Sequence, residues 1–167
     1  MKRQAGLTLV ELVMVIVIIA IAIAGVVGAF SLLVGRSADP LNQVRAVSLA
    51  QLYMDAILTR NYDESTPVGG GKVDVEDVDC AMPGPDDGET RATFDDADDY
   101  HGLADSPPKD YEGVDLPGYG GFSVRVAVAC AGSEVDVAND EDAKRIDITI
   151  TDPSGQDWRF TAYRGNF

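Results

Sequence analysis

Four carboxylates crowd one short stretch, Phe94-Asp95-Asp96-Ala97-Asp98-Asp99-Tyr100-His101-Gly102. Hard cations favour several carboxylate and carbonyl oxygens at once, so Asp95, Asp96, Asp98 and Asp99 are a candidate Ca²⁺ set. The run lacks EF-hand spacing, and a solvated or capping acidic loop is the simpler account. His101 is the only histidine, which leaves Zn²⁺ clusters and Ser-His triads little to build on. Structural hydrogen bonding is its expected role. No nucleophile-base pair stands out, and neither an enzyme nor a cofactor is predicted.

Cys80 and Cys130 are the two cysteines. In an exported segment an even count favours one disulfide, closing a loop of about 50 residues and contributing roughly 3–4 kcal/mol. Two unpaired thiols are the alternative. Against 13 Lys and Arg stand 28 Asp and Glu, a formal charge of −15. Nucleic-acid binding needs clustered cations, so no nucleic-acid partner is expected. The acid is expected to keep an exported domain soluble.

Glu11 matters because of its surroundings. From Leu12 to Gly35 run 24 residues without a charge. As a helix they would extend about 36 Å, enough for a hydrocarbon layer of about 30 Å. Lys2 and Arg3 precede the run and should stay cytoplasmic, leaving the acidic part outside. A secretory signal has an apolar core of about 7–15 residues ending at a small-residue cleavage site. Here the run is longer and the small residue, Gly6, precedes it. Cleavage there would leave the membrane segment on the mature chain. A carboxylate in such a segment is costly and reads as functional; the bland account is a Glu reaching the headgroups. Cleavage after Gly6 would free an α-amino group on Leu7, with Glu11 four residues along. A neighbouring subunit's amino terminus would satisfy Glu11 in a filament core and favour axial register.

Gly6-Leu7-Thr8-Leu9-Val10-Glu11-Leu12, followed by Val, Ile and Ala, resembles the prepilin signal of type IV pilins and type II secretion pseudopilins. The resemblance implies cleavage between Gly6 and Leu7 and N-methylation of Leu7 by a membrane-embedded prepilin peptidase. It implies other pilins and an inner-membrane assembly platform as partners. Leu7 departs from the family's commoner Phe.

Downstream, Ser37-Ala38-Asp39-Pro40 predicts a helix start, with Asp39 as N-cap and Pro40 in the first turn. Gly35 and Pro40 suggest a kink or short break before it. Leu41, Val44, Val47, Ala50, Met54 and Ile57 recur at three- and four-residue steps, an amphipathic stripe expected to pack on a sheet. Phe122–Ala129 and Lys144–Thr151 alternate strictly, putting Phe122, Val124, Val126, Val128 and Ile146, Ile148, Ile150 inward. Asp152-Pro153-Ser154-Gly155 turns into a returning strand with Trp158, Phe160 and Ala162 on one side. The expected fold is α+β and pilin-like: a long amino-terminal helix packed on an antiparallel β-sheet. The expected organisation is a leader at 1–6, a transmembrane and filament-core helix at 7–35, an amphipathic helix at 36–60 and an exported region at 61–167.

Several collinear blocks, among them Tyr62-Asp63-Glu64-Ser65-Thr66-Pro67-Val68-Gly69-Gly70, Asp98-Asp99-Tyr100-His101-Gly102-Leu103 and Ala162-Tyr163-Arg164-Gly165-Asn166-Phe167, are similar to minor prepilins of the mannose-sensitive haemagglutinin (MSHA) pilus. That likeness implies a subunit supporting pilus assembly or surface attachment in a Gram-negative bacterium, held first in the inner membrane with its globular part in the periplasm. A type II secretion pseudopilin and a ligand-binding tip adhesin are the alternatives.

Overall fold

In the computed structural model, which describes residues 8–81, 83–86 and 88–167, one long helix precedes a loop-rich segment and an antiparallel sheet. Helix α1 spans Leu9–Leu58, 50 residues with Pro40 inside it. The fresh helix start expected at Asp39-Pro40 is therefore not formed. A proline within a helix forfeits one hydrogen bond and crowds the carbonyl four residues back. Elongation on both sides adds a bond per residue and carries that local cost. The start lies instead at Thr8, whose Oγ1 accepts the Glu11 N–H at 3.3 Å and whose carbonyl accepts the Leu12 N–H at 3.1 Å. A threonine oxygen taking the N–H three residues on is an N-cap.

The chain divides into two compact units between Asn42 and Gln43. In the first, the 22 residues Leu9–Phe30 are long and apolar enough to cross a membrane. Their side chains are all exposed.

The second unit holds the core. Strands β1 (Ala104–Asp105), β2 (Ser123–Cys130), β3 (Ala143–Thr151) and β4 (Asp157–Gly165) form one sheet in that order, with every neighbouring pair antiparallel. Alternation places Val124, Val126 and Val128 of β2 and Ile146, Ile148 and Ile150 of β3 inward, all buried. Each such side chain contributes roughly 1.5–3 kcal/mol relative to exposure. Asp152 closes the β3–β4 turn through its Oδ1, which accepts the Ser154 and Gln156 N–H groups at 2.8 and 3.0 Å. Gly155 supplies the left-handed residue the turn requires, at φ +85°.

From α1, the residues that meet this face are Ala46, Leu49, Ala50, Tyr53 and Ile57. The expected stripe is thus only partly used. Ala50 and Ile57 are buried, whereas Leu41 (54% exposed), Val44 (63%) and Val47 (37%) are not. Tyr53 displaces them because its hydroxyl is satisfied inside. It donates to Asp105 Oδ2 at 2.5 Å and accepts the Lys109 N–H at 2.9 Å. Burial and the Asp105 bond push the Tyr53 phenol up to about 12.

A second, smaller cluster joins Tyr62, Val73 and Val78 to Cys80 and Cys130. The two cysteines form a disulfide, with Cα atoms 5.6 Å apart. Asn166 pins this layer as a surrogate peptide group: its Oδ1 accepts the Val73 N–H at 2.7 Å and its Nδ2 donates to the Val73 carbonyl at 2.8 Å.

Candidate functional site

Two regions carry the residues singled out by chemistry. In the amino-terminal region, Glu11 is the one charged side chain of Leu9–Phe30 and sits in the first turn of α1. The positive end of the helix dipole favours a carboxylate there. Glu11 is exposed and has no ion-pair partner among the described residues. Thr8, which caps the turn, escaped the sequence reading; the signal was the Thr-x-x-Glu spacing of a capping box. Gly6 and Leu7, the expected cleavage pair, lie outside the described residues.

The second region is the acidic loop, where the four aspartates take separate roles. Asp96 Oδ1 accepts the N–H groups of Asp98 (2.7 Å) and Asp99 (3.2 Å), while Asp99 Oδ2 accepts those of Asp95 (2.9 Å) and Asp96 (3.1 Å). These reciprocal bonds wind the turn at Asp98–Tyr100 and bury Asp96 and Asp99. Asp98 is drawn away to Lys144. That lysine is buried on the inward face of β3; its Nζ donates to the Tyr62 carbonyl at 2.7 Å, to Asp63 Oδ2 at 3.0 Å and to Asp98 Oδ2. It also lies 4.5 Å from the Tyr62 ring centroid. Three N–H donors thus meet three acceptors. The sequence reading passed over Lys144, although it shares parity with Ile146, Ile148 and Ile150.

Three of the four aspartates read from the sequence, Asp95, Asp96 and Asp99, fall into two overlapping carboxylate groups among the described residues. Glu64, Asp95 and Asp96 form one group whose oxygens lie within 4.8 Å of one another, and Glu89, Asp95 and Asp99 form a second. Mutual proximity and burial show in their acidities. Burial, then Asp99 and Asp98, push the Asp96 carboxyl up to about 7. A hydrogen bond with Asp99, then burial, raise Glu89 to about 7. His101 extends the sheet, its Nδ1 lying 2.8 Å from the Val128 carbonyl oxygen and 3.1 Å from the Val128 amide nitrogen. Trp158 packs against the core and is half-buried.

Residues 1–27 match the model of the prokaryotic N-terminal methylation motif. The match is confined to the amino terminus and supports a type IV prepilin-like protein. With it, the long apolar helix and the antiparallel sheet make an α+β, pilin-like arrangement. The motif points to a structural subunit that assembles with other pilins after prepilin peptidase processing. No curated protein and no solved structure matches the chain.

Proposed function

We propose that this chain is a minor type IV pilin, of the kind represented by minor prepilin D of the MSHA pilus, serving pilus assembly and surface adhesion. Prepilin peptidase cuts between Gly6 and Leu7 and methylates Leu7. The apolar helix holds the subunit in the inner membrane, with the acidic domain in the periplasm, until it enters the filament. The observation that supports this most is the uncovered span Leu9–Phe30, which overlaps the matched motif at residues 1–27 and carries one charge, Glu11, in its first turn. Helix-to-helix burial of that span supplies attraction. Glu11 supplies axial register by meeting a neighbour's amino terminus, because a charge away from water requires a partner.

Mass spectrometry of purified filaments tests the reading. A mature terminus at methylated Leu7 is expected, with incorporation of Glu11→Ala sharply reduced. An intact Met1 terminus in cells with active prepilin peptidase would overturn it. Recovery of the processed chain only with type II secretion pseudopilins would transfer the subunit to that filament.

A further inference from the structure

The outer edge of β4 is open. β4 has nine residues in unbroken register with β3, from Ala143↔Gly165 to Thr151↔Asp157. The phase of its hydrogen bonds follows from the ladder ends. At one end the Asp152 N–H donates to the Gln156 carbonyl, and at the other the Asn166 N–H donates to the Asp142 carbonyl, both at 3.0 Å. Antiparallel pairs alternate, so even-numbered residues of β4 bond to β3. The N–H and C=O groups of Arg159, Thr161 and Tyr163 therefore turn outward, and among the described residues they have no backbone partner. Edges of this length are usually blunted by charged side chains, proline, a bulge or a covering loop. β4 has no proline or bulge and carries charges only at Asp157, Arg159 and Arg164, whereas the opposite edge, β1, is only two residues long.

Beside that edge runs a groove of about 240 Å³ lined by Val47, Ala50, Gln51, Met54, Phe160 and Ala162 among others. Phe160 and Ala162 are half-buried, while the inward isoleucines of β3 are 0% exposed. The apolar flank of α1 is thus wider than the sheet beneath it. Val47, at 37% exposure, remains uncovered at the point where another strand would lie.

We propose that β4 receives an extended segment of a different protein chain as a further strand. Its alternate residues are aliphatic and fill the groove, and an acid on its other face meets Arg159. Charge favours this choice: Arg159 is exposed and has no ion-pair partner among the described residues, on a chain of net charge −15. Main-chain bonds supply affinity in strand addition, and alternate side chains supply selectivity. A second copy fits less well. Antiparallel pairing of two β4 edges runs their Gln43–Leu58 segments in opposite directions, and subunits entering a filament in one orientation do not meet that way. Only the exclusion of a second copy rests on the filament reading; the strand addition does not.

The test uses the detergent-solubilised full chain and a synthetic nonapeptide of alternating valine and threonine, with one glutamate placed to oppose Arg159. Hydrogen exchange at the Arg159, Thr161 and Tyr163 amides is expected to slow about tenfold when the peptide is at ten times its Kd. A peptide of the same composition with its valines clustered should have no effect. Thr161→Pro removes an outward N–H without touching the β3 ladder, and Val47→Asp places a charge in the groove. Each should abolish the slowing. Unchanged exchange with the alternating peptide overturns the proposal, as does equal slowing in both variants. If Thr161→Pro also exposes the even-numbered amides, the strand has come apart and Val47→Asp decides alone. Failure here leaves the amino-terminal processing and register roles standing.

Discussion

Lys144 is buried with its side chain 1% exposed, between Asp63 and Asp98 at 7% and 12%. Replacing it with methionine keeps the stem but leaves two carboxylates and the Tyr62 carbonyl without their donor. Breaking a buried charge group by deleting one partner costs about 3–5 kcal/mol, so urea denaturation of Lys144→Met should show a loss of that order. Asp96 sets a different dependence. Its folded value, about 7, lies above the ordinary 3.8 because burial, then Asp99 and Asp98, disfavour the charge. The folded state therefore holds a proton that the unfolded chain releases at lower pH. That contribution is fully present below about 4 and is lost as pH rises through about 7. Unfolding at pH 5 and pH 8 should show the domain more stable at pH 5, and Asp96→Asn, which keeps the Oδ1 acceptor, should flatten the difference. Neither residue's role was legible in the sequence. Lys144 reads as a polar flank of a strand until Asp63 and Asp98 are brought to it across more than 40 intervening residues.

Elements were legible where one face alone decides. β2 and β3 lie within one residue of their expected bounds, and β4 returns after the expected turn, because period-two alternation has few other readings. The short β1 carries no pattern to read. α1 was harder. Scoring aliphatic residues favoured Leu41, Val44 and Val47, whereas the sheet takes Ala46, Leu49 and Tyr53. Small residues admit close approach, and tyrosine enters a core when its hydroxyl has partners. Pro40 reads locally as a start, but helix on both sides overrides it. The Cys80–Cys130 bond links the segment before the acidic loop to the end of β2, across a sequence separation of 50. Reduction, or Cys80→Ser with Cys130→Ser, should lower the free energy of unfolding by about 3–4 kcal/mol. A urea titration with and without reductant measures it, and no change would show that the unfolded chain is not restrained by the link.

At the scale of the molecule, the division between Asn42 and Gln43 separates two kinds of stability. Every member of both core clusters lies beyond Gln43. Residues 43–167 alone are therefore expected to fold in water, with the same urea midpoint as the full chain in detergent by Trp158 fluorescence. A large downward shift would mean that the preceding helix supports the core. The apolar span has the reverse character: its side chains bury nothing within its own unit, and its free energy is realised in lipid or against other helices. Charge is absent from Leu12 to Gly35 and abundant after Asp39, yet the division between the units falls further on, inside the amphipathic segment expected at 36–60.

Asn166 adds a matter of chemical ageing. Its side-chain amide faces the Val73 carbonyl at 2.8 Å and the Glu141 carbonyl at 3.4 Å. Spontaneous hydrolysis of that amide to a carboxylate would set oxygen against oxygen at both contacts. The layer around Val73 and the disulfide would then loosen without a peptide bond being cut. Burial at 5% exposure shields the amide from water, so the domain's shelf life and its fold are guarded by the same contact.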